Sequence, residues 1–171
     1  MTLIFMEELN KHMSGLKEKI SALDPNFKEK INDLFANINH SISMLYEAAI
    51  KDEKTGLYNH KFFETVFEME VEKAKRKQEK LSLIITDIDY FKKVNDTLGH
   101  LKADEILAQL AKVITKTIRK SDIPCRFGGE EFFLLLPETS LAKAKRLGSR
   151  LKKAIHEDKM LKKFKITVSG G

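Results

Sequence analysis

Apolar residues recur along the chain in distinct rhythms, and each rhythm predicts a different kind of element. From Met6 through Leu9, Met13, Leu16, Ile20 and Leu23 the steps alternate between three and four, a helical seam of about three heptads. Asp24-Pro25 breaks it. Ile31, Leu34, Phe35, Ile38, Ile42, Leu45 and Ala49 then form one broad face of a second helix. Residues 1–50 are therefore expected to be a helical hairpin, a regulatory or dimerisation unit that must cover its apolar face on the rest of the chain or on a second copy. His12 and His40 lie on these helices with no partner ligands beside them, which suits surface or interface positions.

The pattern changes at residue 52. DEKTGLYN (52–59) is rich in turn formers, and Asn59 is placed to cap a helix carrying Phe62, Phe63, Val66, Phe67, Val71 and Ala74. LSLIITDID (81–89) is short, β-branched and nearly all apolar, which predicts a central strand buried on both faces. A helical region follows, turning near Gly99 and continuing through Ile106, Leu107, Leu110, Val113, Ile114 and Ile118. IPCRF and EFFLLLP flank Gly128-Gly129 as a hairpin, Ser140 is a candidate cap for a helix through Leu141, Ala144, Leu147, Leu151 and Ile155, and FKITVS (164–169) reads as a last strand. From residue 81 the order is strand, helices, strand, strand, helix, strand. That is the split βαβ order of an α+β, ferredoxin-like or palm domain, with an antiparallel-rich sheet carrying helices on one face. The expected domains are thus residues 1–50 and 51–171.

Composition narrows this reading without redirecting it. At 171 residues, 42% apolar and 33% charged, the chain suits one globular domain with an appendage. A lone cysteine, Cys125, rules out an internal disulfide and fits a reducing, cytoplasmic setting. No apolar run approaches the roughly 20 residues of a membrane span, and the first residues do not form a signal peptide. The net charge of +6 could point to nucleic acid, but KAKRK (73–77) and KAKR (143–146) lie opposite apolar helix faces and lack arginine–aromatic interleaving. A solvated basic face is the better reading.

The candidate chemistry lies in the carboxylates. Asp87 and Asp89 end the first strand, and Glu130 and Glu131 follow the glycines of the hairpin. In a split βαβ frame these two places can lie side by side. Carboxylates gathered there repel one another unless a cation neutralises them. A hard divalent ion such as Mg²⁺ takes one or two of them and completes its shell with water and phosphate oxygens. Two such ions can serve an in-line phosphoryl or nucleotidyl displacement. The glycines would let backbone approach a ligand closely.

The motifs D-x-K-T-G-L-x-N (52–59), TDIDYFKKVNDTLGH (86–100), RKSD (119–122) and RFGGEEF (126–132) stand in an order and spacing that resembles the GGDEF-domain diguanylate cyclase family over residues 52–171. The resemblance implies condensation of two GTP molecules into cyclic di-GMP with loss of two pyrophosphates, with Mg²⁺, or Mn²⁺ in its place, two ions per GTP site, and a homodimer facing two sites together. It implies Glu130 as catalytic acid and metal ligand, Asp87 and the Ile88 carbonyl as metal partners, and Glu131 as an assistant to the second ion. Phe91 and Lys92 would meet the triphosphate beside Gly128 and Gly129, with Lys92 supplying a catalytic point charge. Asn95 and Asp104 resemble the guanine-reading pair. A carboxylate can accept from both N1–H and the exocyclic amine of guanine, which adenine cannot offer. Arg119 and Asp122 match the R-x-x-D pair at which the family binds its product and is inhibited.

Departures from the family pattern set further expectations. Lys54 stands in place of a leucine, His60-Lys61 in place of an arginine pair, and Ala103 in place of a glycine before Asp104. A positive φ at Ala103 would cost about 1 kcal/mol. The family also continues past I-T-V-S-G-G with phosphate-contacting basic residues, so the resemblance implies a domain lacking its usual C-terminal end. The alternative reading is a weak or inactive domain that binds cyclic di-GMP or GTP.

Overall fold

The computed structural model describes residues 25–171 together with Lys11 and Ser14. The seam expected from Met6 to Leu23, and His12 within it, fall outside the described residues. The chain divides between Glu47 and Ala48 into two compact units. Helix α1 (Pro25–Ile50) follows the predicted second periodicity, and none of its residues is buried. Leu34, Ile38 and Leu45 on its apolar face remain 53%, 44% and 71% exposed, and His40 is exposed as well.

The second unit contains β1 (Tyr58–Asn59), α2 (His60–Lys77), β2 (Leu81–Ile88), α3 (Phe91–Leu98), α4 (His100–Thr117), β3 (Ile123–Arg126), β4 (Glu131–Pro137), α5 (Leu141–Glu157), α6 (Lys159–Lys163) and β5 (Val168–Gly170). Asn59 caps α2 as its sequence position predicts, its side-chain oxygen accepting from the Phe62 N–H. The five strands lie in the order β1-β3-β4-β2-β5. β4 is inserted between β2 and β3 and runs antiparallel to both, which is the split βαβ arrangement. β5 pairs antiparallel to the other side of β2.

Alternation along the strands feeds two apolar layers. Ile88, Phe132, Leu134 and Leu136 pack with Ile106, Leu107, Leu110 and Ile114 of α4 and Leu147, Leu151 and Ile155 of α5. Cys125 and Leu135, with Leu83 and Phe133, pack with Phe63 and Val66 of α2. Helices therefore lie on both faces rather than one, but β2 is less covered than its apolar run predicts: only Thr86 and Ile88 are buried, and Ile85 is 42% exposed. Burial, helped by the negative charge of Asp52, pushes the Cys125 thiol up to about 12, so it is inert packing.

Three further details differ from the sequence expectation. Ser140 stands at the N-cap of α5, but its side chain makes no capping hydrogen bond. Tyr58-Asn59 forms a short edge strand parallel to β3 where only a turn was expected. The last strand begins at Val168, not Phe164. Phe164 ends α6, Lys165 turns with φ 55°, and the Ile166 N–H donates to the Leu161 carbonyl, so pairing starts only beyond that reversal.

Candidate active site

The pairing of β2 with β4 brings the acids together. Asp87 lies directly opposite Glu131, and the Ile88 N–H donates to the Glu130 carbonyl at 3.3 Å. Partial burial, then the charges of Asp87 and Glu131, push the Glu130 carboxyl above the usual carboxylate range. The Glu131 carboxylate folds back over the turn, where a Cβ on Gly128 would meet its Oε2 at 2.6 Å. Neither Gly128 nor Gly129 has a positive φ; a Cβ on Gly129 would meet only open space, and the residue is exposed. The hairpin is anchored just before the glycines. Phe127 stacks on Phe133 with centroids 4.1 Å apart, and its N–H donates to the Glu131 carbonyl. His60, one of the departures from the family pattern, packs edge-on against Phe127.

Asp89 does not join this group. Its N–H donates to the Thr167 carbonyl, and its carboxylate accepts from the Thr167 and Ser169 hydroxyls at 2.5 and 2.6 Å. The Ser169 and Thr167 hydrogen bonds hold it below the usual range. It ties the end of β2 to β5: two residues apart in a continuing strand it would share a face with Asp87, but β2 ends at Ile88 and the hydrogen bonds to Thr167 and Ser169 hold it elsewhere.

A turn at residues 52–56 holds both halves of the site. It closes through the Gly56 N–H to the Asp52 carbonyl and the Thr55 N–H to Asp52 Oδ1, with Gly56 at φ 70°. Arg126 bridges from Asp52, at 3.2 Å to each carboxylate oxygen, to the Gly129 carbonyl at 2.8 Å. From the same turn Lys54 reaches Asp104 Oδ1 at 2.8 Å. Neither partnership was predicted. An arginine before the glycines and an acid in the turn were visible as residues, but no spacing rule joins positions so far apart.

The start of α3 follows Tyr90, whose φ of 57° is a left-handed conformation rare for a large residue. Phe91 is buried in the core, so its side chain is not available to the triphosphate as expected, whereas Lys92 is exposed. The Lys93 and Val94 amides donate to the Tyr90 carbonyl, whereas the Phe91 and Lys92 amides, in the first turn, have no acceptor within the helix. Asn95 is held from two sides, its amide nitrogen near the Phe91 carbonyl and its Oδ1 3.2 Å from His100 Nδ1. Ala103 lies within α4, buried and without a positive φ, so the expected strain is absent. Asp104, on the first turns of that helix, is half-buried.

Arg119 and Asp122 form a closed turn. Asp122 is buried, its Oδ2 accepts from the Arg119 N–H at 2.8 Å, and its own N–H donates to the Arg119 carbonyl. Asp122 thereby shapes the turn while Arg119 stays exposed.

Among the described residues no three His, Cys, Asp or Glu side chains are gathered as a ready metal cage. Glu130, with Asp87 and Glu131 near enough to repel it beside an exposed turn, nonetheless fits a hard cation that takes most of its ligands from water and phosphate. An apolar groove of about 700 Å³ lies elsewhere, between β2, α5 and β5, and is lined by none of the predicted site residues. The acids stand instead where the paired ends of the interior strands β2 and β4 meet the glycine turn.

Residues 49–170 match the family model for the diguanylate cyclase, GGDEF domain. The chain is 39% identical to the response regulator PleD of Caulobacter vibrioides over 116 residues, covering 68% of this chain and 25% of PleD. It is 36% identical to diguanylate cyclase A of Treponema denticola over 154 residues, covering 86% of this chain and 41% of that protein. The chain thus spans less than half the length of these relatives. The solved structure of the active GGEEF domain of a diguanylate cyclase from Vibrio cholerae aligns with a TM-score of 0.62 at 33% identity, covering 66% of this chain and 73% of that one.

Proposed function

Since the chain belongs to the diguanylate cyclase GGDEF-domain family, we propose that it condenses two GTP molecules into cyclic di-GMP. The observation that carries this reading is the meeting of Asp87, Glu130 and Glu131 where β2 pairs with β4. The 3′-oxygen of each GTP forms a bond to the α-phosphorus of the other, the α–β phosphoanhydride bond breaks, and pyrophosphate leaves. Asp87, the Ile88 carbonyl and Glu130, with Glu131 toward a second ion, would hold Mg²⁺ or Mn²⁺. When bound, the metal supplies charge neutralisation for the triphosphate and for the developing oxyanion.

The chain's own groups do the rest. Glu130 takes the proton of the attacking 3′-hydroxyl, standing where β2 and β4 meet. The Lys92 side chain and the Phe91 and Lys92 amides at the start of α3 bind the phosphates, and the open backbone at Gly129 admits them closely. Asn95 and Asp104 read guanine. Arg126, by holding the Gly129 carbonyl and Asp52 together, positions the turn without touching substrate. Exposed Arg119, set by its turn with Asp122, binds cyclic di-GMP and makes the product inhibitory. One site holds one GTP, so two copies must face each other.

Incubation with GTP and Mg²⁺ is expected to yield cyclic di-GMP, and Glu130→Gln or Asp87→Asn to lower the rate by at least about 100-fold. Undiminished turnover in these variants would remove the acids from the mechanism. Cyclic di-GMP binding by the wild type without turnover, lost in Arg119→Ala, would mark a binding module instead.

A further inference from the structure

Lys54 projects from the turn at residues 52–56 and meets Asp104 across fifty positions of sequence, its Nζ 2.8 Å from Oδ1 alone. The two side chains remain 42% and 34% exposed, so the pair stands open to a ligand. The turn beneath Lys54 is closed by Asp52 and Thr55 and tied through Arg126 to the glycine hairpin, which fixes the root of the side chain.

We propose that Lys54 is a specificity-determining residue for the purine, its ammonium donating to O6 of guanine while Asp104 accepts from N1–H and the exocyclic amine. The inference rests on the reading of Asp104 as the guanine acceptor. Guanine presents along this edge an acceptor, a donor and a donor. When a carboxylate takes the two donors, one of its oxygens lies beside N1, and an ammonium bonded to that oxygen stands next to O6. Lys54 with Asp104 therefore offers donor, acceptor, acceptor, the complement of guanine at every atom. Adenine carries an amine at position 6 and a bare N1, so it opposes both partners. The cation serves a second purpose. With Lys54 in place a base can cover Asp104 without leaving a lone buried charge.

Equilibrium calorimetry of the full chain with GTP and with 6-thioguanosine triphosphate tests this. The thio analogue keeps N1–H and the amine but offers a weak sulfur acceptor at position 6. The wild type is expected to prefer GTP by roughly tenfold, the scale of one charged hydrogen bond. Lys54→Met should lose that preference by weakening GTP while leaving the analogue nearly unchanged, and Lys54→Arg should recover most of it. Tighter GTP binding by Lys54→Met would make Lys54 a plug that the base displaces, and would overturn the proposal. Equal weakening of both ligands, or no change in either, would overturn it as well. If Asp104→Asn leaves GTP affinity untouched, or the wild type binds no GTP, the assignment of the base site itself fails and the proposal falls with it.

Discussion

Asp52 carries several demands at once: it closes its own turn through Thr55, receives Arg126, and through that arginine holds the carbonyl of Gly129. Burial pushes its carboxyl up, but the Thr55 hydrogen bonds and the Arg126 guanidinium outweigh burial and hold it below the usual range. A folded pKa below the unfolded value of about 4 means the folded state holds fewer protons. The stabilisation is therefore present at neutral pH and lost as pH falls through the folded pKa. Asp52→Asn is expected to cost about 1–3 kcal/mol at pH 7, because Arg126 loses its charged partner. In urea titrations between pH 5 and 3 the wild-type midpoint should fall more steeply than that of the variant. Parallel slopes would show that the clamp contributes nothing. Ala103 is the complementary case at this scale: a departure from the family pattern adds no backbone strain where the chain stays helical.

Register between elements decides which acids meet. A slip of one residue between β2 and β4 would turn Asp87 to the face now filled by Ile88 and Phe132 and break both apolar layers at once. The hydrophobic alternation thereby protects the geometry of the acids. Helix α4 acts similarly for Asp104, which sits near its exposed start while Ile106, Leu110 and Ile114 fasten the helix to the sheet. Ile114 is fully buried, and Ile114→Ala is expected to cost about 2–5 kcal/mol, read as a lower thermal midpoint. Asp104 lies about three helical turns away, so GTP affinity measured well below that midpoint should be retained. A fall in affinity without a fall in midpoint would contradict this division of labour.

For the molecule as a whole, the proposed product is two-fold symmetric, and on that proposal a single copy would be only half of a reaction centre. Exposed Leu34, Ile38 and Leu45 along α1 make an apolar stripe suited to a second copy. Leu34→Lys combined with Ile38→Lys is expected to weaken self-association by roughly tenfold or more in sedimentation velocity. Turnover should fall at low protein concentration and recover at high concentration. Association and turnover unaffected by the double change would place the contact elsewhere.

Periodicity and turn chemistry were enough to predict the α2 cap at Asn59, the central strand, the glycine hairpin and the split βαβ order, because each depends on neighbours within a few residues. The candidate acids were legible for the same reason, each standing at a strand end that the alternation marks. What the chain could not announce was which distant groups would touch. Pairing across 74 residues between Asp52 and Arg126, and across 50 between Lys54 and Asp104, exists only once the sheet and helices have closed. The same closure sent Asp89 to Thr167 and Ser169, and Phe91 into the core. Local sequence determines which elements form and which faces they bury; side chains that meet between elements are chosen by register and packing, which only the folded chain possesses.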